Sequence, residues 1–132
     1  MTSHAEGTFT VKAWDESPFQ ELADGTKLTK AKMTFDFGGD VTAEGVSDTV
    51  MYYRADGTAV YTGLQRMVGA VAGRDGSFVL QADGEFAAGE ARTRWQIIEG
   101  SGTGDLAGLR GSGLAVAASS PGGSFSLDYD LA

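Results

Sequence analysis

Few residues of this chain are equipped for chemistry, and their scarcity is the first constraint. The 132 residues include no cysteine and a single histidine, His4. Thiolate nucleophiles, disulfides and thiolate zinc sites are therefore excluded, and His4 offers at most one metal ligand. The sequence predicts no metal site and no cofactor. Carboxylates are plentiful, eighteen in all, but Asp24, Asp56, Asp75 and Asp83 each precede a glycine, where aspartate bonds the local backbone of a turn. Asp128 and Asp130 alternate with apolar residues and read as a solvated face, because carboxylates are rarely buried unpaired. Glu44 and Glu85 stay as acid-base candidates whose direction, inward or outward, the alternation leaves open. No loop carries the alternating carboxylates of a calcium site.

Amides, hydroxyls and aromatics say more. Tyr61, Gly63, Gln65 and Met67 fall on one face of the run 58–72, Val79 and Gln81 on one face of 77–86, and Trp95 on the apolar face of 91–98. Apolar walls carrying a few amides and hydroxyls are what a small-molecule pocket needs. The alternative is that the same aromatics fill a solid core.

The elements that would position these groups are strands. Phe9, Val11 and Ala13 alternate with polar residues over 8–14, and Pro18, which lacks a ladder donor, is expected to end that strand. Over 30–37, Ala31, Met33, Phe35 and Phe37 face one way and Lys30, Lys32, Thr34 and Asp36 the other. Further strands are predicted at 41–54, 58–72, 77–86, 91–98, 109–118 and 124–132. Asp24-Gly25, Gly38-Gly39, Asp56-Gly57 and Asp75-Gly76 mark turns, a loop is expected at 87–90 and another turn at 119–123. Gly45 reads as a bulge or bend, and Gly63 and Gly69 as breaks in the stiffness of the strand at 58–72. Eight strands in neighbour order, with no long helical pattern, predict an all-β fold: a single-domain, eight-stranded antiparallel up-and-down barrel spanning 1–132. Such a barrel either fills with side chains or holds one small ligand.

The stretch 100–113, GSGTGDLAGLRGSG, reads as the latch of the closed sheet. Residues 102–107 match the dinucleotide pattern G-x-G-x-x-A, but the glycines that follow forbid the long helix this motif must open. The reading adopted is one short helical turn over 103–109, with Thr103 as its N-cap and Leu106 and Leu109 plugging one barrel end.

Net charge bounds the partners. At −8 the chain repels nucleic acid and anionic lipid, so neither nucleic-acid nor membrane partners are expected. Residues 1–6 are polar, lack the basic-then-apolar order of a secretory signal, and read as a flexible N-terminal tail, which predicts a cytoplasmic protein.

Taken together, GTFTVKAWDE (7–16), DGTAVYTGLQRMVG (56–69), GSFVLQADG (76–84), GSGTGDLAGLRGSG (100–113) and the terminal LDYDLA resemble an uncharacterised bacterial family of small barrels, a domain of unknown function similar in fold to allene oxide cyclase. The resemblance covers nearly the whole chain. It implies an eight-stranded, calycin-like barrel that associates through its outer surface as a homo-oligomer and encloses an apolar cavity. It also implies two departures: a Glu is common in the family where this chain has Gln65, and a His where it has Ala82. An amide exchanges no proton as a carboxylate does. The implied activity is a cofactor-free cyclase or isomerase that folds a natural-product or oxylipin-like substrate, with Gln65 and Tyr61 polarising a carbonyl and Phe35, Phe37, Met67, Gln81 and Trp95 in contact with it. The alternatives are a non-catalytic binder or carrier of a small apolar metabolite, and a structural barrel with a packed lumen.

Overall fold

The computed structural model describes residues 2–119 and 122–131. Nine strands form in chain order: β1 (Ser3–Glu21), β2 (Lys27–Gly39), β3 (Val41–Tyr53), β4 (Ala59–Val71), β5 (Arg74–Ala87), β6 (Glu90–Ile97), the two-residue β7 (Thr103–Gly104), β8 (Arg110–Ser119) and β9 (Gly122–Asp130). All pairings are antiparallel. Sequence neighbours pair from β1 through β6, β6 pairs β8, β8 pairs β9, and β9 returns to β1. This closes an eight-stranded up-and-down barrel with β7 as an extra strand on β5.

Alternation decides which side chains enter. On β2, Ala31, Met33 and Phe37 are buried and Phe35 half-buried, while Lys30, Lys32 and Asp36 face water. On β9, Phe125, Leu127 and Tyr129 are buried. β1 departs from its expected face: Phe9 and Val11 are half-buried, but a register shift between Val11 and Ala13 leaves Ala13 exposed.

The two barrel ends differ. At one end Leu106 and Leu109 are 1% and 0% exposed and pack into a cluster with Val41, Val71, Phe78, Ile97 and Leu127. Burial on that scale contributes roughly 1.5–3 kcal/mol per side chain. The plug forms as expected but contains no helix. Successive turns hold it, with Leu106 N–H donating to Thr103 O (3.0 Å) and Leu109 N–H to Leu106 O (3.1 Å). Nor is Thr103 an N-cap, since its hydroxyl accepts from Ser77 N–H (3.1 Å) and bonds Ser77 Oγ (2.6 Å), pinning β7 to β5. The 100–113 stretch thus caps an end of the barrel, and the β9–β1 pairing closes the sheet.

Several strand limits differ from expectation for identifiable reasons. β1 begins at Ser3, because residues 3–10 pair with 122–129 of β9, so His4 belongs to a ladder and not to a polar tail. It also runs through Pro18, beyond the part of β1 that pairs with β9, and a register shift between Pro18 and Gln20 absorbs the missing donor. Gly45, Gly63 and Gly69 sit in an unbroken β3–β4 register and are not bulges. Glycine there permits close approach instead: a Cβ at Gly63 or Gly69 would run into the backbone oxygen of Asp48 or Thr42 on β3. Asp75-Gly76 is part of β5, paired with Ala70 and Gly69, and the chain reverses at Ala72-Gly73. The Asp24 and Asp56 turns form as read, each carboxylate accepting from the N–H and hydroxyl of the threonine two residues on. Of the turn expected at 119–123, residues 120 and 121 lie outside the described residues, as does the last residue of the strand expected to end at 132. No helix among the described residues is long and apolar enough to cross a membrane.

Candidate functional site

At the end opposite the plug the barrel stays open. A cavity of about 320 Å³ enters there, walled by residues that include Val11, Met33, Phe35, Met51, Ala91 and Ala117. A second chamber of about 60 Å³ lies deeper, reaching Phe37, Ser47, Gln65, Ala82 and Trp95. The two share Phe9, Met33, Phe35, Tyr61 and Thr93, so the small chamber is the floor of the large one. Neither is lined by any Asp, Glu, Lys, Arg or His. An aromatic cluster forms one side of the floor, in which Phe9, Phe35, Phe37, Trp95 and Phe125 meet at centroid distances of 5.5–6.1 Å.

Polar groups in the lumen are few. Tyr61 and Thr93 join their hydroxyls at 2.7 Å. Burial raises the Tyr61 pKa above that of a free phenol, outweighing the Thr93 hydrogen bond that opposes it. Tyr61 is therefore a neutral donor at ordinary pH. Gln65 is buried, and its Nε2 donates to the Met67 sulfur at 3.2 Å. Beside it across the β3–β4 ladder sits Ser47, 3% exposed, whose Oγ has no hydrogen-bond partner. An orphaned hydroxyl of this kind is rare in folded proteins and costs free energy.

Of the residues singled out from sequence, Tyr61, Gln65, Phe35, Phe37 and Trp95 line the cavity together. Met67 lies just beneath, touching Gln65 through its sulfur. Gln81 does not join them. Its neighbours Leu80 and Ala82 point inward, so Gln81 is exposed on the outer surface, with Nε2 3.5 Å from Asp83 Oδ2. Glu44 and Glu85 are likewise exposed, Glu44 binding Lys12 at 3.2 Å.

The alternation of β3 places Ser47 and Thr49 in the lumen, and their only signal in the sequence is two small hydroxyl residues at the spacing of one strand face. Glu16 is the other residue found only in three dimensions. At the mouth its Oε2 accepts from Thr29 Oγ1 and Tyr53 Oη (2.6 Å each), and its Oε1 from Trp14 Nε1 (2.9 Å). Burial works against the Glu16 charge, but the hydrogen bonds from Thr29, Tyr53 and Trp14, aided by Lys27, hold the carboxyl below its usual range. Tyr53 is pushed up to about 12, first by burial and then by this carboxylate. Glu16 is consequently a fixed anion that anchors the rim, where a proton-transfer group would need to titrate near working pH.

Residues 5–130 match the family described as protein of unknown function (DUF3224). The chain belongs to this family. The crystal structure of a DUF3224-family protein of unknown function from Shewanella oneidensis MR-1 is similar over 100% of this chain and 99% of that one, with a TM-score of 0.79 at 24% identity. That likeness concerns the fold. None of the curated proteins matches the chain.

Proposed function

We propose that this DUF3224 protein binds a small apolar molecule in the open half of its barrel. The observation that carries the reading is the two-chamber cavity: apolar walls, no charged lining, and a buried hydroxyl on the floor without a partner. Its upper chamber is at the lower end of the roughly 300–1,000 Å³ typical of ligand sites.

The test uses N-phenyl-1-naphthylamine, a neutral apolar dye that brightens when it leaves water. It is expected to saturate the wild-type protein at one site, and Ala117→Trp, which places an indole in the mouth, is expected to abolish that signal. Absence of saturable binding to the wild type, or unchanged binding to the variant, would overturn the assignment.

A catalytic reading uses the same cavity. Tyr61 and Gln65 both face it, so a bound carbonyl could be polarised there while the walls hold a flexible chain folded for ring closure. With no carboxylate or imidazole lining the chamber, such a cyclase or isomerase would work by steering and not by proton transfer. Turnover separates the two: chromatography of the released ligand shows it unchanged for a carrier and isomerised for an enzyme.

A further inference from the structure

Resting on the lumen-binding reading, we infer the chemical class of the ligand: a small, neutral, largely apolar compound that carries a carbonyl oxygen and enters with that oxygen leading. The floor presents two hydrogen-bond donors with nothing adequate to bind. Ser47 Oγ is buried with no partner at all. Gln65 Nε2 has two protons, and among the described residues its acceptor is the Met67 thioether, a weak one. These residues are directly opposed across the β3–β4 ladder and both line the deep chamber. A single acceptor oxygen delivered between them would satisfy both.

Neutrality follows from the walls. A carboxylate or ammonium drawn into this chamber would lose its hydration and meet no countercharge, because neither chamber is lined by an ionisable Asp, Glu, Lys, Arg or His. The fixed anion at the rim, Glu16, adds repulsion toward an anionic ligand and already has three donors of its own. Beyond the floor, the upper chamber is largely apolar: its polar side-chain groups are the paired Tyr61 and Thr93 hydroxyls and, at the rim, Tyr53 Oη and Trp14 Nε1, both already donated to Glu16, so it suits a hydrocarbon or aromatic body. The ligand's polarity must therefore be concentrated at its leading end.

Calorimetric titration of the full chain with matched probes reads this out: acetophenone and 2-acetylnaphthalene as ketones, cumene and 2-isopropylnaphthalene as hydrocarbons of the same shape, and benzoate and 2-naphthoate as anions. The wild type is expected to bind the ketones about tenfold or more tightly than the hydrocarbons, the gain of two modest hydrogen bonds, and the anions most weakly. Ser47→Ala and, independently, Gln65→Leu are expected to lower the ketone-to-hydrocarbon affinity ratio toward one. Equal wild-type affinity for ketone and hydrocarbon would overturn the carbonyl inference and leave lumen binding standing. Anions binding more tightly than ketones would overturn neutrality. If no neutral probe of either size binds, the lumen reading itself falls. The wild-type ratio decides without either variant, so a variant that fails to fold does not rescue the inference.

Discussion

Ala72 and Ala88 hold φ of 50° and 54°, each followed by a glycine at positive φ, Gly73 at 83° and Gly89 at 75°. Two consecutive residues of positive φ are what a tight hairpin of the right twist demands, and alanine is poorly suited to the first of them. Asparagine adopts that conformation more readily. Ala72→Asn is expected to stabilise the protein by roughly 0.5–1 kcal/mol, read as a rise in urea midpoint at unchanged slope, and Ala88→Asn to do likewise; a fall in midpoint for both would refute the strain argument. The same alanines explain what the sequence concealed. Turn signals drew attention to Asp75-Gly76, yet the reversal falls at Ala72-Gly73, a pair without the usual asparagine or aspartate. Residues 78–80, Phe-Val-Leu, are apolar in succession and carry no alternation from which to read direction. Register then had to come from the turn, and only that register shows that Gln81 faces water while Ala82 faces the lumen. From Tyr61 to Met67 the residues sharing a face were readable, but the outer face carries the exposed Leu64 and the inner one Gln65, so residue types did not say which face enters the lumen.

At the scale of elements, the β1–β9 pairing is the seam that brings the first strand to the last. His4 lies directly across from Asp128 in that register. Its Nδ1 bonds Asp128 Oδ1 and its Nε2 bonds Glu6 Oε2, both at 2.7 Å. Both ring nitrogens can donate only as imidazolium. The Asp128 hydrogen bond, then that of Glu6, raise the His4 pKa above 6.5. Because the folded-state value is the higher one, the contribution is complete below the unfolded value and is lost as pH rises through the folded value. Chemical denaturation between about pH 5.5 and about pH 8.5 is expected to show a decline in stability above 6.5 that is absent in His4→Gln. The site is exposed, so the decline should be small and should shrink with added salt. Identical pH profiles for the two proteins would remove His4 from the seam. Nothing in a run such as 2–6 announces a strand, because its apolar content is a single residue, Ala5, which proves fully buried. Pro18 misled in the opposite direction, since a strand paired on one side tolerates a missing donor at a bulge.

Across the whole molecule, the barrel divides its labour between two ends. The larger buried cluster runs from the plug, where Leu106 and Leu109 are wedged, up to the cavity floor at Phe37 and Trp95, whereas the mouth end has the smaller cluster of Ala31, Met33 and Met51 and remains hollow. Packing at the first end supplies stability, and incomplete packing at the second leaves room for a ligand at the expense of stability that a filled core would have provided. Substitutions at the two ends should therefore separate the properties. Leu106→Ala removes a side chain that is 1% exposed and is expected to cost about 2–5 kcal/mol, while the folded fraction still binds N-phenyl-1-naphthylamine with wild-type affinity. Ala117→Trp, at the mouth, is expected to lose that binding while keeping most of its thermal stability. If Leu106→Ala weakens dye binding in proportion to its loss of stability, the ends are one cooperative unit and the cavity depends on the plug. If it does not, the plug is a scaffold, and the proposed lumen site depends on the residues that line the open half.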